Sequence, residues 1–327
     1  MRQADRSTQS TVRFAPGPSF LVRFLTCLLL IAIFLPVQPV SAAQITASSD
    51  LESDGALIYK SFADPNPVTQ PLPAPCSGED CNSGSTDYYK PFTSFISSTN
   101  PSPVNNPSIW PYAATVKLLA HWPSGATSTC SGTLVDAKYV LTSAHCIFTF
   151  TPEYCASGDS SCWVEDIEAL PAYQDGEAPA GRSGYETILT WTDWTDNRMA
   201  EYDLAVIKLR YPLGVQVGWL GVGFFANDAF FTNSNFASAG YPKSAPFNGD
   251  DMAFWSGQAA ISGSSEDLIN LNGKMDAGWE GATVNGENGI AYGVISSTNY
   301  SPSVTVTRIT YTKFDAIRTF IQDGQPK

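Results

Sequence analysis

The sequence predicts an all-β fold, a barrel or a sandwich, from Tyr112 to about residue 311. Short apolar runs alternate with turn residues at intervals of roughly eight to twelve positions, a spacing that favours antiparallel sheets over βαβ units. No internal repeat interrupts this pattern. The apolar runs are 114–120, 132–135, 139–142, 204–209, 253–261, 291–295 and 304–311.

A single helix is predicted at the C-terminal end, over residues 313–322. Its large apolar residues recur at helical spacing and so share one face of the helix. These residues are Phe314, Ile317, Phe320 and Ile321.

Residues 1–43 have the pattern of a secretory signal peptide. Four arginines precede an apolar run at 24–37, and residues 40–43 read Val-Ser-Ala-Ala, which predicts cleavage near Ala42 or Ala43. The apolar run is short for a membrane span, and an uncleaved anchor is the alternative. We therefore expect a secreted or periplasmic protein.

The remaining chain is strongly acidic. Removing residues 1–43 takes away four arginines and one aspartate, which changes the formal net charge from −13 to −16. Such a charge keeps a protein soluble and repels polyanions. We expect no nucleic-acid partner and no membrane association after removal of the signal peptide.

Six cysteines follow the signal peptide, and an even number in an exported chain indicates disulfides. Fifteen pairing schemes can be drawn, and sequence proximity favours one of them. None of the spacings resembles a zinc site with two histidines, and we expect neither a metal nor a cofactor. The favoured pairs are Cys76–Cys81, Cys130–Cys146 and Cys155–Cys162.

Residues 44–108 are rich in Ser, Pro, Asn and Asp and contain few apolar clusters. Such a composition does not build a packed core. We predict a propeptide or linker of low order here, followed by one folded region at 109–327.

Two segments carry the residue types of a catalytic base and its partner. Residues 142–146 read Thr-Ser-Ala-His-Cys, which places His145, one of only two histidines, beside a cysteine. Asp203 precedes the apolar run 204–209, where a carboxylate is costly to bury unless it is partnered. Pairing the two would orient the imidazole for proton transfer. Taken alone, His145 could be a structural histidine and Asp203 a turn aspartate.

Three motifs together resemble the trypsin (chymotrypsin-like) family of serine proteases, especially its bacterial branch around the glutamyl endopeptidases. With Gly-Tyr-Pro at 240–242, the similarity covers about residues 110–322. The motifs are Cys-Ser-Gly-Thr-Leu-Val at 130–135, Tyr-Val-Leu-Thr-Ser-Ala-His-Cys at 139–146 and Asp-Leu-Ala-Val-Ile-Lys-Leu at 203–209.

The resemblance implies two antiparallel six-stranded β-barrels, at about 109–212 and 213–311, followed by the C-terminal helix. It places the active site in the cleft between the barrels. It also implies that His145 is the general base and that Asp203 orients it. We expect a monomer.

The nucleophile position departs from the family pattern. The family has Gly-x-Ser-Gly-x-Pro, whereas residues 278–284 read Gly-Trp-Glu-Gly-Ala-Thr-Val. Both glycines align, so Glu280 takes the place of the catalytic serine. By the same alignment, the backbone N–H groups of Gly278 and Glu280 form the oxyanion hole, and Ser296 supports the buried aspartate.

Several alternatives stay open. Glu280 could reflect a sequencing error or a shifted alignment. Another serine could be the nucleophile, and the histidine and the two acids could instead bind a metal, although the aspartate lies behind the imidazole in this family. Two tryptophans, Trp191 and Trp194, suggest a carbohydrate- or surface-binding protein. The candidate serines, each followed by a glycine, are Ser183, Ser256 and Ser262.

We expect a trypsin-like protein that has lost peptidase activity and binds a peptide or protein ligand in the inter-barrel cleft. A carboxylate that attacked a peptide bond would form a mixed anhydride while expelling an amine, an uphill step. A second negative charge beside the imidazole would also raise its pKa and hold it as imidazolium. The alternative is an active endopeptidase that uses an unrecognised nucleophile.

Overall fold

The apolar runs fold into two antiparallel β-barrels. The computed structural model describes residues 100–298 and 303–323, together with a two-residue strand at Ile58–Tyr59. The predicted signal peptide lies outside the described residues. In chain order the strands of the first half are β1 (Ile58–Tyr59), β2 (Ser102–Pro103), β3 (Thr115–His121), β4 (Thr127–Asp136), β5 (Tyr139–Thr142), β6 (Phe148–Thr149), β7 (Cys162–Trp163), β8 (Asp166–Pro171), β9 (Tyr185–Thr190) and β10 (Ala205–Leu209).

The second half contributes seven more strands and most of the helical residues. The strands are β11 (Gly221–Gly223), β12 (Asn235–Gly240), β13 (Ala253–Ile261), β14 (Leu268–Asn272), β15 (Thr283–Gly286), β16 (Ile290–Ser297) and β17 (Ser303–Arg308). The α-helices of the described chain are α1 (Thr192–Thr195), α2 (Gly214–Val217), α3 (Asp228–Asn233) and α4 (Tyr311–Asp323).

The first barrel is a six-stranded sheet in the order β8-β3-β4-β5-β10-β9. A single bridge between Ala169 of β8 and Ser183, two residues before β9, links the two edges of this sheet and completes the barrel. Val116, Leu118 and Ile207 are buried inside it. Each such side chain contributes about 1.5–3 kcal/mol when it is fully removed from water.

The second barrel follows the order β12-β13-β14-β17-β16-β15 and closes because β16 pairs with both β15 and β17. Phe236, Trp255 and Ile295 are among the side chains buried in its interior. β11 extends this sheet by a parallel pairing with β16, and β1 pairs with β11. The two-barrel architecture expected from the family resemblance is therefore confirmed.

The C-terminal helix α4 is confirmed and begins two residues before the predicted start. Its apolar face, Phe314, Ile317, Phe320 and Ile321, is buried in a cluster that contains side chains of both barrels, such as Tyr139. The helix thus ties the barrels together. Within the described part of the chain, no helix combines the length and apolar character needed to span a membrane.

Part of the segment predicted to be of low order belongs to the second barrel's sheet. β2 pairs with β13, with Ser102 opposite Phe254, and the Val104 N–H donates to the Met252 carbonyl at 2.9 Å. The Val104 side chain is buried against Tyr241 and Met252. The predicted boundary at residue 109 is therefore corrected to a position before Ser102. A two-residue strand carries too little sequence pattern to be predicted.

Candidate active site

Antiparallel pairing of two strands brings His145 and Asp203 to one end of the first barrel. Thr142, the last residue of β5, lies opposite Ala205, the first residue of β10. His145 follows β5 in the 3₁₀ turn Ala144–Cys146, and Asp203 lies just before β10. The first barrel therefore positions both side chains at the edge of the cleft.

The carboxylate of Asp203 is buried and accepts hydrogen bonds from three donors. Its Oδ2 atom lies 2.8 Å from Nδ1 of His145, and its Oδ1 accepts from the His145 backbone N–H at 2.8 Å. The Ser296 hydroxyl, from β16 of the second barrel, donates to Oδ2 at 2.5 Å. These bonds compensate the cost of burying a residue that is 1% exposed. They also fix Nδ1 as a donor, so Nε2 faces the cleft.

The two disulfides that fall within the described residues are Cys130–Cys146 and Cys155–Cys162. The first links the turn of His145 to β4. The second closes the loop between β6 and β7. The predicted pair Cys76–Cys81 lies outside the described residues.

Two glycines shape the turn that carries Glu280. Gly278 has a φ of +100°, and a Cβ atom there would lie 2.3 Å from the Tyr241 carbonyl oxygen. Gly281 has a φ of +89°, and its Cβ would lie 2.1 Å from the Ser131 carbonyl oxygen. Both positions combine left-handed backbone with close approach to a backbone carbonyl oxygen, so only glycine fits.

Trp279 anchors the same turn in the second barrel. Its side chain is fully buried, and its indole N–H donates to the Ser238 hydroxyl at 3.0 Å. From the first barrel, the Ser131 hydroxyl donates to the Gly278 carbonyl at 2.6 Å, and the Ser131 N–H donates to the Glu280 carbonyl at 2.8 Å. The turn is therefore fixed from both barrels.

The Glu280 carboxylate folds back onto its own turn. Its Oε2 atom accepts the Gly278 backbone N–H at 2.7 Å, and its Oε1 atom accepts a hydrogen bond from the Thr298 hydroxyl. The Gly278 N–H is one of the two groups that the resemblance assigned to the oxyanion hole. The acidic side chain thus occupies this donor. Thr298 was missed by the sequence analysis, because nothing in the sequence indicates the direction of the Glu280 side chain.

The pKa of His145 is raised above its ordinary value of 6.5. Burial, the largest single effect, lowers the pKa, but the charge and hydrogen bond of Asp203 together with the charge of Glu280 outweigh burial. The site therefore shifts the ring toward the imidazolium form, which cannot accept a proton from a nucleophile.

These residues line a cleft of about 560 Å³. Lys243 forms part of the wall beside Gly278, and burial lowers the pKa of its amine, an effect that the charge of Glu280 partly opposes. Aromatic and hydroxyl side chains of the first barrel line the opposite wall.

The alternative nucleophiles do not line this cleft. Ser183 is buried at the bridge that completes the first barrel, where its hydroxyl donates to the Gly184 carbonyl. Ser256 is buried in β13, and Ser262 lies in the turn after β13. His145 is not brought next to any of them.

The acidic groups of the site do not converge on one point. Asp203 contacts Nδ1 on one side of His145, whereas Glu280 is bonded to Gly278 and Thr298. Over the described residues, the metal-compatible grouping is His145 with Cys130 and Cys146, and both cysteines are joined in a disulfide. Within the described part of the chain, these residues of the site give a cation no ligand set.

The tryptophan pair noted in the sequence is used for packing. Trp194 is 8% exposed, and its indole N–H donates to the Phe148 carbonyl at 3.2 Å. Trp191 packs against the cluster that holds α4. The two side chains belong to different clusters and do not form a joint platform.

Two curated bacterial proteins are similar to the chain. One is the extracellular metalloprotease of Bacillus subtilis (strain 168), 28% identical over 130 residues, which are 39% of each chain. The other is the glutamyl endopeptidase of Bacillus licheniformis, 24% identical over 149 residues, 46% of this chain and 42% of that protein. The alignments thus span about two fifths of the length of these relatives.

Solved structures share the fold. A glutamyl endopeptidase in complex with MPD has a TM-score of 0.59 at 19% identity, over 71% of this chain and 100% of that chain. The protease Anisep from Arthrobacter nicotinovorans has a TM-score of 0.50 at 24% identity, over 65% of this chain and 92% of that one. At these identities the likeness is one of fold.

The family model for trypsin matches residues 102–266. The match begins at β2, which agrees with the corrected boundary, and it ends before the turn of Glu280. It covers half of the chain and includes the His145 and Asp203 segments. The chain therefore belongs to the trypsin family.

Proposed function

We propose that the chain is an exported member of the trypsin family without peptidase activity, which binds a peptide or protein in the inter-barrel cleft. The observation that carries this proposal is the Glu280 carboxylate on the Gly278 N–H, at 2.7 Å. This one contact supports two losses: Glu280 replaces the nucleophilic serine, and its carboxylate occupies the Gly278 donor of the oxyanion hole.

The chemistry of the carboxylate argues against acyl transfer. A serine nucleophile forms an ester, whereas Glu280 would have to form a mixed anhydride while an amine leaves. Carboxylates succeed as nucleophiles on sugars, where the transition state is an oxocarbenium ion, and not on amides. The charge of Glu280 acts in the same direction, because it shifts His145 toward the imidazolium form, which cannot take the proton of an attacking group.

Two hydroxyl side chains near Glu280 are already engaged. The Ser296 hydroxyl donates to Asp203, and the Thr298 hydroxyl donates to Glu280. Their protons point at carboxylates and away from the His145 ring. These contacts favour the hypothesis of a protein without peptidase activity over that of an active endopeptidase that uses Ser296 or Thr298 as its nucleophile.

Export is proposed from two observations. The described residues contain two disulfides, which persist in oxidising compartments. The Bacillus subtilis relative is extracellular by its name. Secretion into the medium and retention in a periplasm are both consistent with them.

Treatment with a fluorophosphonate probe tests the loss of activity. The purified chain should show no covalent labelling and should not cleave a mixed peptide substrate, while trypsin run in parallel is labelled and cleaves it. The His145→Ala variant is the matched control. Labelling of the wild type that disappears in His145→Ala would show an active nucleophile and refute the proposal.

A further inference from the structure

Because Glu280 occupies the Gly278 N–H, a ligand in the cleft has to be recognised by groups outside the oxyanion hole. If the cleft binds a peptide, as proposed above, the peptide carbonyl cannot use the Gly278 N–H, because the Glu280 carboxylate already holds it. The binding free energy must then come from other surfaces of the same cleft. Two such surfaces stand out: a group of aromatic rings and two cations that have no ion-pair partner among the described residues.

The aromatic wall of the cleft consists of Phe150 and Tyr154 with two tryptophans behind them, Trp122 and Trp194. Tyr154 stacks on Trp122 with ring centroids 5.4 Å apart, and Phe150 meets Trp194 edge-on at 5.8 Å. Both tryptophans are buried, whereas Phe150 and Tyr154 are half-buried. Faces of half-buried rings are the surfaces that receive apolar or aromatic side chains.

This wall is held rigidly. The Trp122 indole donates to the Ser128 hydroxyl at 2.8 Å, and the Cys155–Cys162 disulfide follows Tyr154 directly. A wall whose rings are already ordered loses little conformational entropy when a ligand packs on it.

Arg198 lies at the edge of the wall, with its guanidinium 5.4 Å from the centre of the Phe150 ring. Lys243 lies in the wall beside Gly278. Over the residues that the structure describes, no carboxylate lies within ion-pair distance of either cation. The side chains of the other arginines of the described chain have partners: Arg182 pairs with Glu168, Arg308 with Asp228 and Arg318 with Asp315, and Arg210 donates to the Tyr185 carbonyl.

The contrast matters because the chain has 31 acidic and 18 basic residues. Although acids are in such excess, Arg198 has no acidic partner among the described residues. Its guanidinium is therefore available to pair with an acidic group of a ligand. Arginine over an aromatic ring is also preoriented for a planar carboxylate. Acidic motifs are commonly recognised by arginine in this way.

We propose that the cleft binds a partner-protein segment in which an acidic side chain pairs with Arg198 and a neighbouring aromatic side chain packs on Phe150 and Tyr154. The acidic side chain takes the exposed face of the guanidinium. The aromatic side chain takes the wall. Lys243 adds positive potential from the opposite side.

An array of short random-sequence peptides, probed with the labelled full chain, tests the proposal. Peptides with Asp or Glu beside Phe, Tyr or Trp should be enriched. For the best peptide, replacement of its acid by the amide should weaken Kd about tenfold, the size of one lost charge-assisted hydrogen bond. Replacement of its aromatic residue by Ala should weaken it similarly.

The protein variants locate the contact. Arg198→Gln should remove the preference for acid over amide, and Arg198→Lys should retain part of it. Arg182→Gln, an exposed arginine outside the cleft, should leave it unchanged. Melting temperatures of all three variants establish that they fold.

Each other outcome has a defined meaning. Enrichment of peptides without an acid, no enrichment at all, or binding of an acidic polysaccharide in their place would overturn the proposal. A preference that persists in Arg198→Gln would overturn it too. Cleavage of the bound peptides would instead refute the proposed loss of activity, and the Arg198 variants would still decide the acidic preference.

Discussion

The Glu280 carboxylate accepts a hydrogen bond from the backbone N–H of Gly278, 2.7 Å away and two residues earlier in the same turn. A serine hydroxymethyl group is too short to fold back in this way. The contact is therefore a direct consequence of glutamate at this position. The protein itself thus places a carboxylate on the donor that an oxyanion hole offers to a substrate.

Glu280→Gln should lower the pKa of His145. Glutamine keeps the length of the side chain and can still accept the Gly278 N–H, but it removes a charge that raises the pKa of the ring. Proton NMR titration measures the change directly, because the chain has only two histidines and His121→Gln assigns their signals. Glu153→Gln, an exposed acid outside the cleft, is the matched control. An unchanged His145 titration in Glu280→Gln would contradict the electrostatic account of the site.

The stability that His145 contributes should fall as pH rises. The folded-state pKa of the ring lies above its unfolded value of 6.5, so protonation favours the folded state. The contribution is complete below the unfolded pKa and is lost as pH rises through the folded pKa. Urea unfolding of the wild type and His145→Gln, from about pH 5.5 to about pH 8.5, isolates it. The difference in unfolding free energy should shrink across this window, and a difference that grows would contradict the prediction.

The sequence predicted strands that are rich in large apolar residues and missed strands that are not. β5 and β13 were predicted at their observed bounds. β9 has no buried residue, and β12 consists mostly of small residues, so neither stands out as an apolar run. Their places in the sheets are set by hydrogen bonding to neighbours, for instance β9 to β10, which local sequence does not report.

The candidate site was predictable where a local motif defines it. His145 and Asp203 each sit in a short sequence pattern, and Ser296 followed from the family resemblance. The contact of Thr298 with Glu280 depends on a side-chain direction and on strands that meet only in the fold. The position of Arg198 over the aromatic wall depends on the fold as well.

Gly281→Ala should destabilise the protein far more than Gly158→Ala. Both glycines have positive φ, but a Cβ at Gly281 would lie 2.1 Å from the Ser131 carbonyl oxygen, whereas nothing lies within 4 Å of one at Gly158. Left-handed backbone alone costs an alanine about 1–2 kcal/mol. The clash at Gly281 adds to it, so we expect more than about 3 kcal/mol there. Urea unfolding measures both variants, and equal losses would show that the Glu280 turn can move away from Ser131.

Glu280→Ser should create a nucleophile from the remaining machinery. The substitution frees the Gly278 N–H, removes a charge that raises the pKa of His145, and leaves the His145–Asp203 pair in place. Trp279 should be kept, because its fully buried side chain anchors the turn. Labelling by a fluorophosphonate probe should then appear.

The matched control is Glu280→Ala, which frees the same N–H but supplies no hydroxyl. In an intact triad the serine and histidine together contribute about 10⁶-fold to turnover, so Glu280→Ser should be labelled at least about 100-fold faster than Glu280→Ala. Adding His145→Ala to Glu280→Ser should abolish the difference, because the hydroxyl then has no base. Equal labelling of the serine and alanine variants would mean that residue 280 does not face the imidazole, and the assignment of the nucleophile position would be wrong.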